Sequence, residues 1–210
     1  SSILTVLIGI IGAPPCCTWI LCFVARTTKE PLSGWSPRVI YPQDSMNTIH
    51  PTAIIDATVR LGDGNTVGPY AVILGDCIIG DGNWIGPHAA IGTPAQMRGG
   101  PHPATWNGEP ADAAIVIGSG NVIREFATVH AGTSSTTTIG DECYFMTQAH
   151  VPHDATIEDL VTLSNSAQLG GHTIIQTGAN IGLGAVVHQR SLVGSRAMVG
   201  MGSVVTKPVP

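Results

Sequence analysis

Charge is what this chain has least of. Only 11% of its 210 residues are charged, and nine Lys and Arg against fourteen Asp and Glu leave a net charge of −5. No basic run occurs, which excludes general nucleic-acid binding. The shortage of charge does not mean disorder, because 43% of the residues are hydrophobic and disordered chains combine low hydrophobicity with high charge. The five cysteines are odd in number and contain no CxxC pair, so neither a disulfide framework nor a thiol zinc ribbon is expected. A reduced, cytoplasmic compartment follows from that cysteine usage.

The first 25 residues hold no charge at all, yet Pro14 and Pro15 interrupt them where a spanning helix would need continuity. They also lack the basic start of a signal peptide. Met46 opens MNTIHPTAIID, where regular patterning begins. Residues 1–45 therefore read as an extension apart from a main domain at 46–210, with a membrane anchor as the rival reading.

A repeat dominates that domain. From Ile49 the chain divides into sixes whose first residue is apolar at 49, 55, 61, 67, 73, 79, 85 and 91. The pattern returns at Ile117, Ile123 and Val129, then runs from Ile139 to Val205 without a break. The fifth position is small or slender, as at Ala53, Asn65, Ala71, Cys77, Asn83 and Cys143, which makes both cysteines packing residues. A six-residue period predicts an all-β parallel β-helix, three sixes to a coil of 18 residues. Coil starts at 49, 67, 85, 117, 139, 157, 175 and 193 give about eight coils. On that phase roughly 14 extra residues loop out of the coil at 85–116, and four more near AGTSSTTT.

Histidine then falls where the loops are. His130, His153, His172 and His188 lie 13 to 15 residues past successive coil starts, in one third of the triangle, and His150 lies on the corner leading into it. Stacked strands are ~4.8 Å apart, so these residues are expected to form a column on one edge. His50 reads as structural, and His88 and His102 as incidental. Imidazoles at such an edge suit general-base catalysis, with Asp154 orienting the ring of His153. They also suit a zinc site, on which the alternative is a hydratase like the γ-class carbonic anhydrases. The spacing His150-x-x-His153 is shorter than those enzymes use. An inactive structural trimer is the third reading.

Several stretches carry a narrower resemblance: IREFATVHAGT (123–133), AHVPHDATI (149–157), LSNSAQLGGH (163–172), AVVHQRSLVGSRAMVG (185–200) and NGEP (107–110). They resemble the bacterial UDP-N-acetylglucosamine O-acyltransferases of lipid A biosynthesis, hexapeptide-repeat acyltransferases with a left-handed parallel β-helix. The resemblance implies transfer of an acyl chain from the phosphopantetheine thioester of acyl carrier protein to the 3-hydroxyl of a nucleotide sugar, with no metal and no further cofactor. It implies His153 as general base, Asp154 as its support and the Gly171 N–H as oxyanion donor. Gln96, His130, His150, His172, His188 and Gln189 are implied as substrate contacts, and Met201 as a ruler at the far end of the acyl chain. It also implies a cytoplasmic homotrimer with each site between two prisms. The chain departs from the family in its longer loop at 97–110, where Arg98 is the candidate for an expected Lys. It departs also in ending at Pro210, before the family's C-terminal helical domain. Arg98, Arg124, Arg190 and Arg196 are expected to offset the acidity locally.

Overall fold

A computed structural model describes residues 46–98 and 114–210. The extension at 1–45, His102 and the NGEP stretch lie outside the described residues. Within them the chain is all strand: 23 strands of two to four residues, joined by tight turns. The strands form three parallel sheets of eight, eight and seven strands, and every third strand belongs to the same sheet. The first face carries strands such as Thr66–Val67 and Trp84–Ile85, the second Val72–Ile73 and His150–Val151, and the third Ile157 and Ile175 with their neighbours. The result is the triangular solenoid of about eight coils that the hexad predicts.

Two-residue strands explain the pattern. Side chains alternate across a strand, so the first residue points out and the second points in. Val67, Ile73, Ile79, Ile85, Ile91, Ile123, Val151, Ile175 and Ile181 are all buried in one continuous core. Ala71, Ala89, Ala127, Ala149 and Ala167 fill the corners beside them. Register is set coil against coil, as in Thr162↔Asn180 and Leu163↔Ile181.

Three slender positions do more than fill space. Asn65, Asn83 and Asn121 are fully buried and stack as a ladder. The Asn83 amide groups donate to Asn65 Oδ1 at 2.8 and 3.0 Å, and those of Asn121 donate to Asn83 Oδ1 at 2.9 and 3.0 Å. The Cys143 N–H closes the ladder on Asn121 Oδ1 at 2.8 Å. A buried polar column is stable only because each member is paired. The cysteines behave as packing residues: burial, with nearby carboxylates, raises the Cys77 thiol to about 12, and burial raises that of Cys143 to about 11.

The structure corrects the coil phase across the long loop. Ile117 pairs with Ile79, not with Ile85, whose partner is Ile123. The chain leaves the second face after Ala90–Thr93 and re-enters on the third at Ile115–Ile117. Equivalent residues there are 38 apart, so twenty residues are added to an 18-residue coil rather than fourteen. Counting could not find this, because a slip of one hexad leaves every apolar residue inward. The four-residue insertion falls where expected, between Thr128–His130 and Thr137–Ile139. Both loops leave the corner between the second and third faces.

Ile181 is wholly buried in the narrow core. Ile181→Asp should bury an unpaired charge and prevent folding, whereas a change at exposed Arg190 should leave the β-signal intact. Circular dichroism of the two purified variants checks both, and a normal spectrum for Ile181→Asp would contradict the hexad frame.

Candidate active site

After the two insertions, the corner between the second and third faces is built the same way in three successive coils. A strand of the second face ends on an inward residue, and a turn follows whose second central residue has positive φ. That residue is Asp154 at φ 58°, His172 at 59° and Arg190 at 58°. Such a conformation costs an L-residue of the order of 1–2 kcal/mol outside glycine. The coil spacing therefore stacks His153, Gly171 and Gln189 in one row and Asp154, His172 and Arg190 in the next.

His130, His150, His153, His172, His188 and Gln189 all lie at this corner or on the strand ends that lead into it. They do not form the single column expected. They form two edge-to-face pairs, His130 with His150 at 4.9 Å between centroids and His153 with His172 at 5.3 Å. His188 stands exposed further along, its Nδ1 3.0 Å from the Gln189 carbonyl. The cause is the turn geometry, which puts the histidines in neighbouring rows.

Asp154 is the anchor. Its side chain has no exposed surface. The backbone N–H groups of Thr133, Ser134 and Ser135 donate to Oδ1 at 3.0, 2.9 and 2.6 Å, and the Ser135 hydroxyl does so at 3.0 Å. Oδ2 accepts from the Thr133 hydroxyl at 2.6 Å and pairs with His153 Nδ1 at 2.7 Å. His172 Nε2 lies 3.7 Å from the same oxygen. Burial alone would raise this carboxyl, but the bonds from Thr133, His153, Ser134 and Ser135 outweigh it and hold Asp154 well below the usual carboxylate range. The four-residue insertion is thus an anion nest. Thr133, Ser134 and Ser135 were missed from sequence, although a hydroxyl-rich insertion one coil before a His-Asp pair was a usable signal.

With Nδ1 engaged, the free nitrogen of His153 is Nε2. A Cβ added at Gly171 would lie 2.7 Å from that atom, so only glycine fits against the ring. Burial, followed by the nearby His150 and His153, pushes His130 down to about 4, and burial with His153 lowers His150. His150 Nδ1 shares a 2.8 Å hydrogen bond with the Thr128 hydroxyl, while His130 Nδ1 is buried without a protein partner.

Two other expected residues stand apart from the imidazoles. Gln96 is exposed at the start of the long loop on this corner. Met201, 75% exposed, lies on the corner between the first and second faces, away from the histidines of its own chain. The expected arginine patch is not assembled. Arg124 faces the first side, bound to Glu125 at 2.8 Å and lying 5.5 Å over the Trp84 ring. Those side chains and Tyr144 line an open cleft of about 600 Å³. That cleft holds none of the imidazoles, and its one carboxylate, Glu125, is tied to Arg124, so the histidine corner is the candidate site.

The chain is similar to several known proteins. Residues 58–93 match the bacterial transferase hexapeptide family (six repeats). The acyl-[acyl-carrier-protein]–UDP-N-acetylglucosamine O-acyltransferase of Burkholderia lata is 37% identical over 123 residues, 57% of this chain and 46% of that protein. The chain thus spans about half the length of the curated relatives it matches. Among solved structures, a UDP-N-acetylglucosamine acyltransferase from Bacteroides fragilis is 30% identical, with a TM-score of 0.57 over 81% of this chain and 68% of the other. LpxA from Acinetobacter baumannii has a TM-score of 0.66 at 27% identity, over 77% of this chain and 68% of the other.

Stability should carry the signature of these groups. His130 and His150 are depressed in the fold, so stability is lost as pH falls below about 6.5, where the unfolded imidazoles take protons and the folded ones resist. Asp154 is depressed too, so its contribution is present above its unfolded value of 3.8 and fades as pH drops below it. Denaturant titration at a series of pH values should show both declines. His130→Gln should flatten the upper one and Asp154→Asn the lower, and unchanged profiles would contradict the assignment.

Proposed function

The chain belongs to the UDP-N-acetylglucosamine acyltransferase family, and from that premise we propose that it moves an acyl chain, a 3-hydroxyacyl chain by family resemblance, from the thioester of acyl carrier protein to the 3-hydroxyl of UDP-N-acetylglucosamine or a related nucleotide sugar. The observation that carries this reading is the His153 ring, fixed through Nδ1 by a buried carboxylate at 2.7 Å, with Nε2 free beside Gly171.

In this reading Nδ1–H stays with Asp154, which fixes the tautomer and makes Nε2 the acceptor. Nε2 removes the proton of the sugar hydroxyl as its oxygen attacks the thioester carbon. The tetrahedral intermediate places its oxyanion on the Gly171 N–H. Collapse of the intermediate breaks the carbon–sulfur bond, and the proton held on His153 leaves with the thiolate. His150, His172, His188 and Gln189 contact the nucleotide sugar. Gln96 does so from the loop, and His130 supports the same pocket in neutral form.

The acyl chain is assigned to the second face. Beyond His150 its outward positions are Gln168, Val186 and Val204, the last two 43% and 71% exposed. Val186 and Val204, one coil step of ~4.8 Å apart, give that row an apolar end. Leu183, Met198 and Met201 are exposed beside its far end, and they supply the surface that a neighbouring prism covers in a homotrimer. The protein acts in the cytoplasm; no helix among the described residues is long and apolar enough to cross a membrane.

The test is an acyl-transfer assay on UDP-N-acetylglucosamine with a panel of acyl carrier thioesters. His153→Ala should lower turnover about 10²–10⁴-fold while the protein stays folded. Full turnover in that variant would favour a structural trimer or a site elsewhere.

Met201 sets chain length in the same reading. Its side chain fills space that glycine leaves open, so donors near ten carbons are preferred to fourteen. Each methylene denied burial costs about 0.8 kcal/mol. Met201→Gly should shift selectivity toward longer donors in a competition assay with mixed thioesters, and an unchanged profile would remove the ruler.

A further inference from the structure

Within the candidate site, one carboxylate oxygen serves two imidazoles. Asp154 Oδ1 is committed to the nest, whereas Oδ2, which also accepts from the Thr133 hydroxyl at 2.6 Å, faces His153 Nδ1 at 2.7 Å and His172 Nε2 at 3.7 Å. Ligand atoms of His153, Asp154 and His172 all lie within 4.8 Å of one another. We propose that His153 Nδ1, Asp154 Oδ2 and His172 Nε2 form a three-ligand site for a divalent transition metal of the zinc type, which switches off His153 as a base when occupied.

The chemistry and the spacing agree. Two imidazoles and one carboxylate with an open fourth position are a common zinc donor set. Donors about 2.0–2.1 Å from one tetrahedral ion sit about 3.3 Å from each other. The two distances to Oδ2 bracket that value, and the rings close the site by turning toward each other from within 4.8 Å. The nest already fixes the carboxylate, as an outer shell of hydrogen bonds does around bound metals. Entry is open, since the side chains of His153 and His172 are 19% and 30% exposed. The expected histidine pair, His150 and His153, is not the one that converges; His153 and His172 are.

Occupation has a defined cost to catalysis. The ion takes the place of the proton between Nδ1 and Oδ2. That proton moves through solvent to Nε2, so the neutral ring keeps one N–H and no proton is gained or lost overall. Nε2 then donates instead of accepting and cannot deprotonate a hydroxyl. The ion is an inhibitor here, not a resident cofactor.

This inference deepens the acyltransferase reading, but its first test does not depend on it. Calorimetric titration of the full chain with Zn²⁺ alone should show one site per chain, and Co²⁺ should give the strong visible absorption of a four-coordinate ion. His172→Ala and Asp154→Asn should lose both signals. His188→Ala, on the same corner but outside the trio, should keep both. Thr133→Val retains all three ligands but loosens the carboxylate, and should weaken uptake about 10–100-fold. Circular dichroism establishes that each variant is folded. Absence of saturable uptake in the native protein, or uptake retained in His172→Ala, overturns the proposal. In the activity arm Zn²⁺ should suppress acyl transfer and a chelator restore it; full transfer by zinc-loaded protein also overturns it. Zinc uptake by a protein with no transfer activity in metal-free form would leave the metal site standing and remove the acyltransferase reading instead.

Discussion

Everything in this molecule depends on pairing each residue with the one a coil away. Thr66 lies over Trp84, Thr162 over Asn180 and Val186 over Val204, and the main-chain hydrogen bonds run along that direction. Strands of two residues cannot form a sheet within one coil, so no coil is stable alone and the stack folds through its neighbours. The same pairing carries chemistry outward. A side chain in a corner turn has a fixed neighbour above and below it, which is why Gly171 covers His153 and His172 covers Asp154.

A strictly regular solenoid would offer little more than such ladders. The histidine corner is different because regularity is broken there twice. The short insertion does not merely bulge: it folds back so that three successive N–H groups converge on Asp154. Burying a carboxylate is costly unless it is fully bonded, and this one is held by groups that carry no formal charge. The price of that buried charge is met locally, and Oδ2, held by the Thr133 hydroxyl, is fixed where it orients His153. Stability and chemistry share a side chain at this point, so acid weakens both.

Much of the fold was legible because the hexad is dense. Each apolar first position from Ile139 to Val205 proved inward, and so did Cys77 and Cys143. The phase across the long loop was not legible, since Ile85 and Ile79 are equally good partners for Ile117 by pattern. The Asn65–Asn83–Asn121 ladder decides the register in space, but its meaning depends on knowing that all three point inward. At the site, type and spacing brought the histidines to one corner. They could not say which pairs touch, because that follows from turn rows that period-counting smears into one third of a triangle. The nest escaped for a related reason: backbone N–H groups have no letter in a sequence.

The crowd of imidazoles raises its own electrostatic question. Several bases within a few ångströms would repel one another if charged, and a cation beside His153 would oppose the positive charge its ring gains on taking a proton. The corner avoids this by burial. His130 is 5% exposed and pushed down to about 4, and His150 is lowered as well, so neither brings a positive charge near neutrality. Asp154, held low by its nest, remains the charge nearest the ring. The fixed charge that faces His153 is therefore the Asp154 carboxylate, in place before any substrate arrives. A carboxylate held 2.7 Å from Nδ1 stabilises the positive charge that the ring gains on taking a proton. The same field attracts a small dication, which is why a site arranged for a transient imidazolium is also arranged to be blocked by zinc.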